Sequence, residues 1–300
     1  KASENGSAIY ATSAVIKNCQ IIFNTYSNYL NYTVRLNKCV MDSCVLKNNK
    51  TYYNSTICAE NNSEVTNCEI EGNSSYNNYI GSYFNSSKIS NCKFVKTSGA
   101  GAGVELRNAS VIRDCQFEGN TNVNNQIIYA VDDNVLIEDC KIRNNTSTRN
   151  SFIYLSNSKI NRCQITDNTV SSNVIESYNS KAKISNCLIC DNTCPESYRT
   201  IYMYGGVSMI NCTVARNVTK NANVIYMNNS TLKNSIIVGN TTNSNYSNTL
   251  AKDGTNTIKN NMFEGTFVDG NMDGSMAYAA FTDAENGDYS LSSNSYCINA

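Results

Sequence analysis

Ile112-Arg113-Asp114-Cys115-Gln116-Phe117-Glu118-Gly119-Asn120 is one copy of a frame that recurs down most of a 300-residue chain. With the cysteine as position zero, the frame returns at Cys19, Cys44, Cys68, Cys92, Cys115, Cys140, Cys163, Cys187 and Cys212, then continues with Ser235 and Asn261 in the cysteine place. The intervals run 25, 24, 24, 23, 25, 23, 24, 25, 23 and 26 residues. A fixed period in this range is the signature of a repeat array, in which each unit stacks on its neighbours.

The columns of the frame give the shape of one unit. Position −3 is apolar in every copy, from Ile16, Met41 and Val65 to Leu232 and Ile258, and so is position +2, from Ile21 and Leu46 to Ile237 and Phe263. Zero and +2 are in phase for a strand, because side chains alternate faces with period two. Positions −3 and zero are out of phase, so the chain must turn a corner between them if both point inward. Position −1 is Asn in most copies, with Ser43, Asp114, Asp139 and Arg162 as variants, and Asn tolerates the left-handed backbone of a tight corner. The sequence holds 51 Asn against 15 Gly and one Pro, so the corners are made with amides.

A second corner is expected at +5, which is Asn in Asn24, Asn49, Asn73, Asn120, Asn145, Asn168, Asn192, Asn217 and Asn240, with Thr97 and Thr266 as exceptions. Amides stacked in successive turns can hydrogen-bond along the column as a ladder. After a loop of variable length comes a further inside-outside-inside strand, as in Val104-Glu105-Leu106, Ile128-Tyr129-Ala130, Ile153-Tyr154-Leu155 and Ile201-Tyr202-Met203. A third corner follows, with Asn62, Asn85, Asn108, Asn157, Asn179 or Asn229. Three short strands and three corners in about 24 residues describe one rung of an all-β, triangular parallel β-helix. Ten to eleven rungs at about 4.8 Å each make a rod of roughly 50 Å. Five or six inward side chains at about 1.5–3 kcal/mol each do not offset the ordering of a whole rung at about 1.5 kcal/mol per residue, so a rung folds only against its neighbours.

Residues 1–240 are read as the solenoid, and residues 241–300, where the period fades, as a degenerate last rung and a C-terminal cap. Gly6-Ser7-Ala8-Ile9-Tyr10 begins part-way through a rung, so further material is expected upstream. Nine of the fourteen cysteines fall on the period. Beside Ile or Phe, a periodic Cys is a small buried hydrophobe stacked on its copies, and Cys68, Cys92, Cys115, Cys140, Cys163 and Cys187 are expected buried and unpaired. Cys39, Cys58, Cys190, Cys194 and Cys297 lie off the period, and Cys190 with Cys194 is open to pairing.

With 24 basic and 24 acidic residues scattered singly, the chain has no basic footprint for nucleic acid and no polybasic patch for anionic lipid. No apolar run approaches the roughly 18 residues of a membrane span. The sequence has no histidine, which excludes Ser-His-Asp and Cys-His catalytic sets and His-ligated metal sites.

The Phe117-Glu118-Gly119-Asn120 and Gly6-Ser7-Ala8-Ile9 stretches resemble the FxxN and GGAI repeats of chlamydial polymorphic outer-membrane protein passengers. The run from Phe281 to Asn299, with Gly287-Asp288-Tyr289-Ser290-Leu291 at its centre, resembles the closing segment of bacterial secreted β-helix proteins of the pectin-lyase-like superfamily. The resemblance implies a bacterial, secreted or cell-surface right-handed parallel β-helix, with an anchoring domain outside the chain. The fold itself hosts lyases, hydrolases, adhesins and inert stalks.

Function must then be sought on the outward columns. Glu105, Tyr129, Tyr154, Glu176, Tyr202 and Tyr226 occupy the centre of the inside-outside-inside strand on six successive rungs. Stacked tyrosines with carboxylates can pack against sugar rings and bind hydroxyls, although Tyr is also an ordinary exposed strand residue. The expected function is a secreted or cell-surface stalk, adhesin or glycan-binding module, with Tyr129, Tyr154, Glu176, Tyr202 and Tyr226 contacting a polysaccharide or cell-surface glycan. The alternative is a polysaccharide lyase or glycoside hydrolase acting through Glu105, Asp132, Asp133 or Glu176, since paired carboxylates about 5–9.5 Å apart hydrolyse glycosides. Two further acid pairs on adjacent rungs, Asp114 with Asp139 and Asp167 with Asp191, have the chemistry to hold calcium, or they replace Asn at corners. No other cofactor is expected.

Overall fold

The interval of about 24 residues closes one turn of a parallel solenoid. In the computed structural model the described residues are 8–26, 32–52, 55–75, 81–99, 103–122, 126–196, 198–220, 222–242, 249–265 and 269–298. Gly6 and Ser7, residues 243–248 of the polar loop after Asn240, Thr266 and Asn299 lie outside them. One coil reads Ile128–Val131, Leu136–Glu138, Lys141–Arg143 and Thr146–Ser147, and the next begins with Ile153–Ser156. Each strand pairs in parallel with its copies one coil away, which builds stacked sheets of 11, 11, 12 and 10 strands. The first three sheets are the strands expected from the columns. The fourth is a two-residue strand that the sequence reading did not separate from the loop. Register is kept from coil to coil: Ile112 pairs with Ile137, Phe117 with Ile142 and Glu105 with Tyr129.

The corners show why the composition is so rich in Asn. All eleven residues at position −1 have φ between 51 and 56°, a left-handed conformation that costs an ordinary L-residue about 1–2 kcal/mol and Asn less. The second corner falls one residue earlier than expected, at +4, where Asn48, Gly72, Lys96, Gly119, Asn144, Asp167, Asp191, Arg216 and Gly239 all have positive φ. In the third corner Asn62, Asn108, Asn157, Asn179 and Asn229 are left-handed, whereas Asn85 ends a strand and Ser86 makes the turn.

Moving the corner to +4 turns the +5 amide inward. Asn168 is typical: its Nδ2 donates to Ile142 O (2.9 Å) and to Asn192 Oδ1 (2.9 Å), while its Oδ1 accepts from Asn145 N and Asn145 Nδ2 (both 3.0 Å). The same pattern links Asn49 to Asn73 and runs unbroken from Asn120 to Asn240. A buried polar group is tolerated only when it is hydrogen-bonded, and here each amide satisfies its neighbours on both sides.

The cysteine column lies inside the neighbouring corner. Cys44 to Cys212 are buried, Cys19 is half-buried, and all fourteen cysteines are free thiols. Cys115 Sγ donates to Arg113 O (3.1 Å), and Cys68 N donates to Cys92 Sγ (3.4 Å). Ser235 takes over this acceptor role at the end of the column, receiving Cys212 N at 3.1 Å. Phe94 and Phe117, at +2, stack in the core with ring centroids 4.9 Å apart.

The outer face of the third sheet changes character along the rod. In the early coils it carries cross-coil ion pairs, Lys47 with Glu71 and Arg143 with Glu118. Later it turns apolar, at Leu188, Cys190, Ala215, Ile236 and Val238, and there it is covered by residues from 272 to 297. Met272–Asp273 adds a final strand to the third sheet, followed by a short helix, Met276–Ala279, and a hairpin of Phe281–Asp283 with Asp288–Leu291. Tyr289 is buried against this face and donates its hydroxyl to Asp191 Oδ2 (2.7 Å). Arg216 bridges Asp191 (2.8 Å) and Glu285 (2.7 Å). The terminal segment thus doubles back along the flank of the rod; Cys190 lies under it, whereas Cys194 belongs to the main core, and the two are unpaired.

Candidate functional site: the tyrosine ladder of the first sheet

Period-two alternation sends the middle residue of each first-sheet strand outward while its neighbours fill the core. Register places Tyr10, Arg35, Cys58, Tyr83, Glu105, Tyr129, Tyr154, Glu176, Tyr202 and Tyr226 in one column. The expected Tyr/Glu face therefore exists as a line of adjacent side chains. Two more tyrosines join it: Tyr178 and Tyr204 lie two residues further along their strands and point to the same side. The sequence carried this signal in Glu176-Ser177-Tyr178 and Tyr202-Met203-Tyr204, where alternation makes both positions outward.

Tyr178 closes the gap that Glu176 would leave. Ring centroids step 5.0 Å from Tyr129 to Tyr154, 5.5 Å to Tyr178, 5.8 Å to Tyr202 and 4.9 Å to Tyr226. The ladder spans five coils, about 19 Å. At 4.9–5.0 Å and interplanar angles of 12–19°, the end pairs are stacked face to face. Their faces are occupied by one another and by cations: Arg107 lies 5.3 Å from the Tyr129 centroid, and Arg199 lies 5.0 Å from Tyr226 and 6.0 Å from Tyr202. The ladder accordingly offers solvent ring edges and phenol hydroxyls more than open ring faces. Tyr204, 46% exposed, stands beside Tyr202 at 6.5 Å and is the most open of the rings.

The polar groups along the ladder are engaged with it. The Tyr178 hydroxyl donates to Glu176 Oε1, and the Tyr226 hydroxyl donates to Asp253 Oδ2 at 2.8 Å. Burial, followed by the Glu176 carboxylate, raises the Tyr178 phenol above its ordinary value. For Tyr226 the hydrogen bond to Asp253 is the leading cause of the rise. Tyr154 and Tyr202 are raised chiefly by burial. All four phenols are thus neutral donors at physiological pH. Among the described residues, Arg199 has no carboxylate within ion-pair distance, whereas Arg107 is held by Glu105.

Of the acids considered for hydrolysis, Glu105 and Asp132 share Arg107 (2.5 and 4.0 Å), so that cation stands with both of them. Glu105 and Glu176 lie three coils apart in the same column, about 14 Å along the axis, beyond the spacing of a glycosidase pair. Asp132 and Asp133 sit in the corner after the Tyr129 strand, Asp132 with φ 79°. Asp132 accepts from Asn108 N (3.4 Å), and Asp133 pairs with Lys181. Of the acids considered for calcium, Asp139 takes a bidentate contact from Arg162 (2.8 and 2.7 Å), and Asp191 is shared by Arg216 and Tyr289. Asp114, Asp139, Asp167 and Asp191 all stand at left-handed corners. Arg113 and Glu138 make a cross-coil pair at 2.8 Å.

The protein-family model described as a right handed beta helix region matches residues 44–188, in agreement with the observed solenoid. No curated protein matches the chain. Among solved structures, the Streptococcus pneumoniae surface protein and adhesin PfbA is similar at 10% identity, over 88% of this chain and 90% of that one, with a TM-score of 0.31. The mannuronan C-5 epimerase AlgE6 A-module of Azotobacter vinelandii is similar at 12% identity, over 81% and 80%, with a TM-score of 0.32. An endo-xylogalacturonan hydrolase from Aspergillus tubingensis is similar at 10% identity, over 91% and 93%, with a TM-score of 0.27. The narrower likeness to chlamydial passengers rests on the sequence motifs alone.

Proposed function

We propose that this right-handed β-helix is a secreted or cell-surface binding stalk whose ligand is a glycan laid lengthwise along the tyrosine ladder. The observation that carries the reading is the unbroken row Tyr129, Tyr154, Tyr178, Tyr202 and Tyr226 on one outward face. A rigid sheet holds these groups at fixed intervals, so a ligand with regularly spaced hydroxyls meets a donor or acceptor at each coil without ordering cost to the protein. Recognition runs through the phenol hydroxyls, Glu176 and Asp253 at the ladder's rim, with Tyr204 supplying an open ring surface for a sugar face.

The test is a binding screen on neutral and acidic polysaccharides, repeated with the double variant Tyr154→Phe/Tyr202→Phe. Removing two hydroxyls while keeping the stacked rings is expected to weaken the best ligand at least tenfold and to leave thermal unfolding nearly unchanged. Unaltered binding would place recognition elsewhere. Release of shortened saccharides that stops in Asp133→Ala would replace the stalk with the lyase or hydrolase.

A further inference from the structure

Where the terminal segment covers the third sheet, two sulfur atoms meet beside a groove. Met262 is an outward residue of the third sheet, and Met272 is its register partner on the final strand. Cys297, arriving from the end of the chain, places its Sγ 3.6 Å from Met262 Sδ. These three residues line a groove of about 480 Å³ together with Asn211, Asn234 and Asn260. The Met262 thioether also occupies space that a larger residue would claim. A Cβ at position 274 would lie 2.6 Å from Met262 Sδ, so Gly274 leaves room for that sulfur.

We propose that Met262, Met272 and Cys297 form a site for a soft monovalent metal ion of the Cu(I) class. Thioether and thiol donors select such ions over calcium, magnesium or zinc, which prefer oxygen, nitrogen or several thiolates. Two sulfurs bound to one ion at about 2.3 Å each stand about 3.7–4 Å apart, so the observed separation needs only a small adjustment. Among the described residues no group of three or more Cys, Asp and Glu side chains is placed to hold a metal, so this donor set differs in kind from the acid pairs discussed above. Metal binding is a simple exchange: the Cys297 thiol releases its proton to solvent as the metal–sulfur bond forms, with no change of oxidation state. The groove gives the ion a path from solvent, while the thiols of the Cys44–Cys212 column are buried in the core. Methionines also serve as plain packing residues, and the experiment separates the two roles.

Full-length reduced protein is titrated anaerobically against Cu(I) held by bicinchoninate, with the colour of the chelate as readout. The expected result is transfer of one Cu(I) per chain. Met262→Leu/Met272→Leu, which keeps side-chain volume and the thiol, is expected to weaken binding at least tenfold, and Cys297→Ser to do the same. A second readout uses Ag(I) with methyl-labelled methionine in NMR, where the Met262 and Met272 methyl signals should shift and the core methionine signals should not. The proposal is overturned if the wild type leaves Cu(I) on the chelator, or if the double leucine variant binds as tightly as the wild type. Should Cys297→Ser loosen the terminal segment, the leucine variant and the methyl shifts still decide.

Discussion

Replacing Asn168 by Ala perturbs the buried amide ladder at one rung and leaves the apolar core untouched. The side chain takes part in four hydrogen bonds of 2.9–3.0 Å. Its loss strands the backbone N–H of Asn145 and one of that residue's side-chain contacts, and it removes a donor from Ile142 O. All of these groups lie inside the solenoid, where water does not replace the lost partner. At about 1–3 kcal/mol for each stranded buried group, the variant should lose about 3–5 kcal/mol. The comparison is Asn186→Gly, at an exposed left-handed corner, where φ is 53°. Its amide donates at the surface to Asn161 Oδ1 (2.8 Å). Glycine keeps the backbone conformation there, so this change should stay within about 0.5 kcal/mol. Urea unfolding followed by circular dichroism measures both. An Asn168→Ala loss no larger than that of Asn186→Gly would refute the idea that the ladder holds the coils together.

The flank contact of the terminal segment gives a second expectation: Tyr289→Phe removes a hydroxyl bonded to the Asp191 carboxylate at 2.7 Å, costs about 1.5–3 kcal/mol, and should speed limited proteolysis within residues 276–298 with little change in the rest of the rod. Equal protease resistance would contradict it. The buried thiols predict an alkaline limit. Burial pushes Cys58 and Cys194 up to about 12, whereas an unfolded thiol titrates near ~8.5. Between these values the unfolded chain sheds protons that the folded one keeps, so stability is full below about pH 8 and falls as pH rises toward 12. Urea midpoints measured from pH 7 to 11 check the sign, and alkylation of native protein at pH 9 should leave these two cysteines unlabelled.

Much of the molecule was legible because the repeat samples each position about ten times. The −3, zero and +2 columns located two strands, the inside-outside-inside triplets located the third, and the recurrent Asn at −1 located a corner. The corner at +4 was hidden because Gly72, Lys96, Asp167 and Arg216 share a backbone conformation and no side-chain chemistry. The conspicuous Asn at +5 marked the inner ladder beside it. The two-residue fourth strand is too short for alternation to show. Tyr178 and Tyr204 escaped a reading confined to the middle residue of each strand, although period two placed both on the same face. The landing place of the terminal segment was written in the outward positions of the third sheet, where charged residues give way to Leu188, Cys190, Ala215, Ile236 and Val238. The orientation of the tyrosine rings was not legible at all, since composition does not say whether a stacked ring shows its face or its edge.

Hydroxyl-radical footprinting of the protein with and without its best glycan tests the binding face most directly. Bound ligand is expected to shield Tyr154, Tyr178, Tyr202, Tyr204 and Tyr226 and to leave Tyr10, Tyr198 and Tyr296 as reactive as before. Protection confined to the second or third sheet, with the ladder tyrosines unchanged, would contradict it.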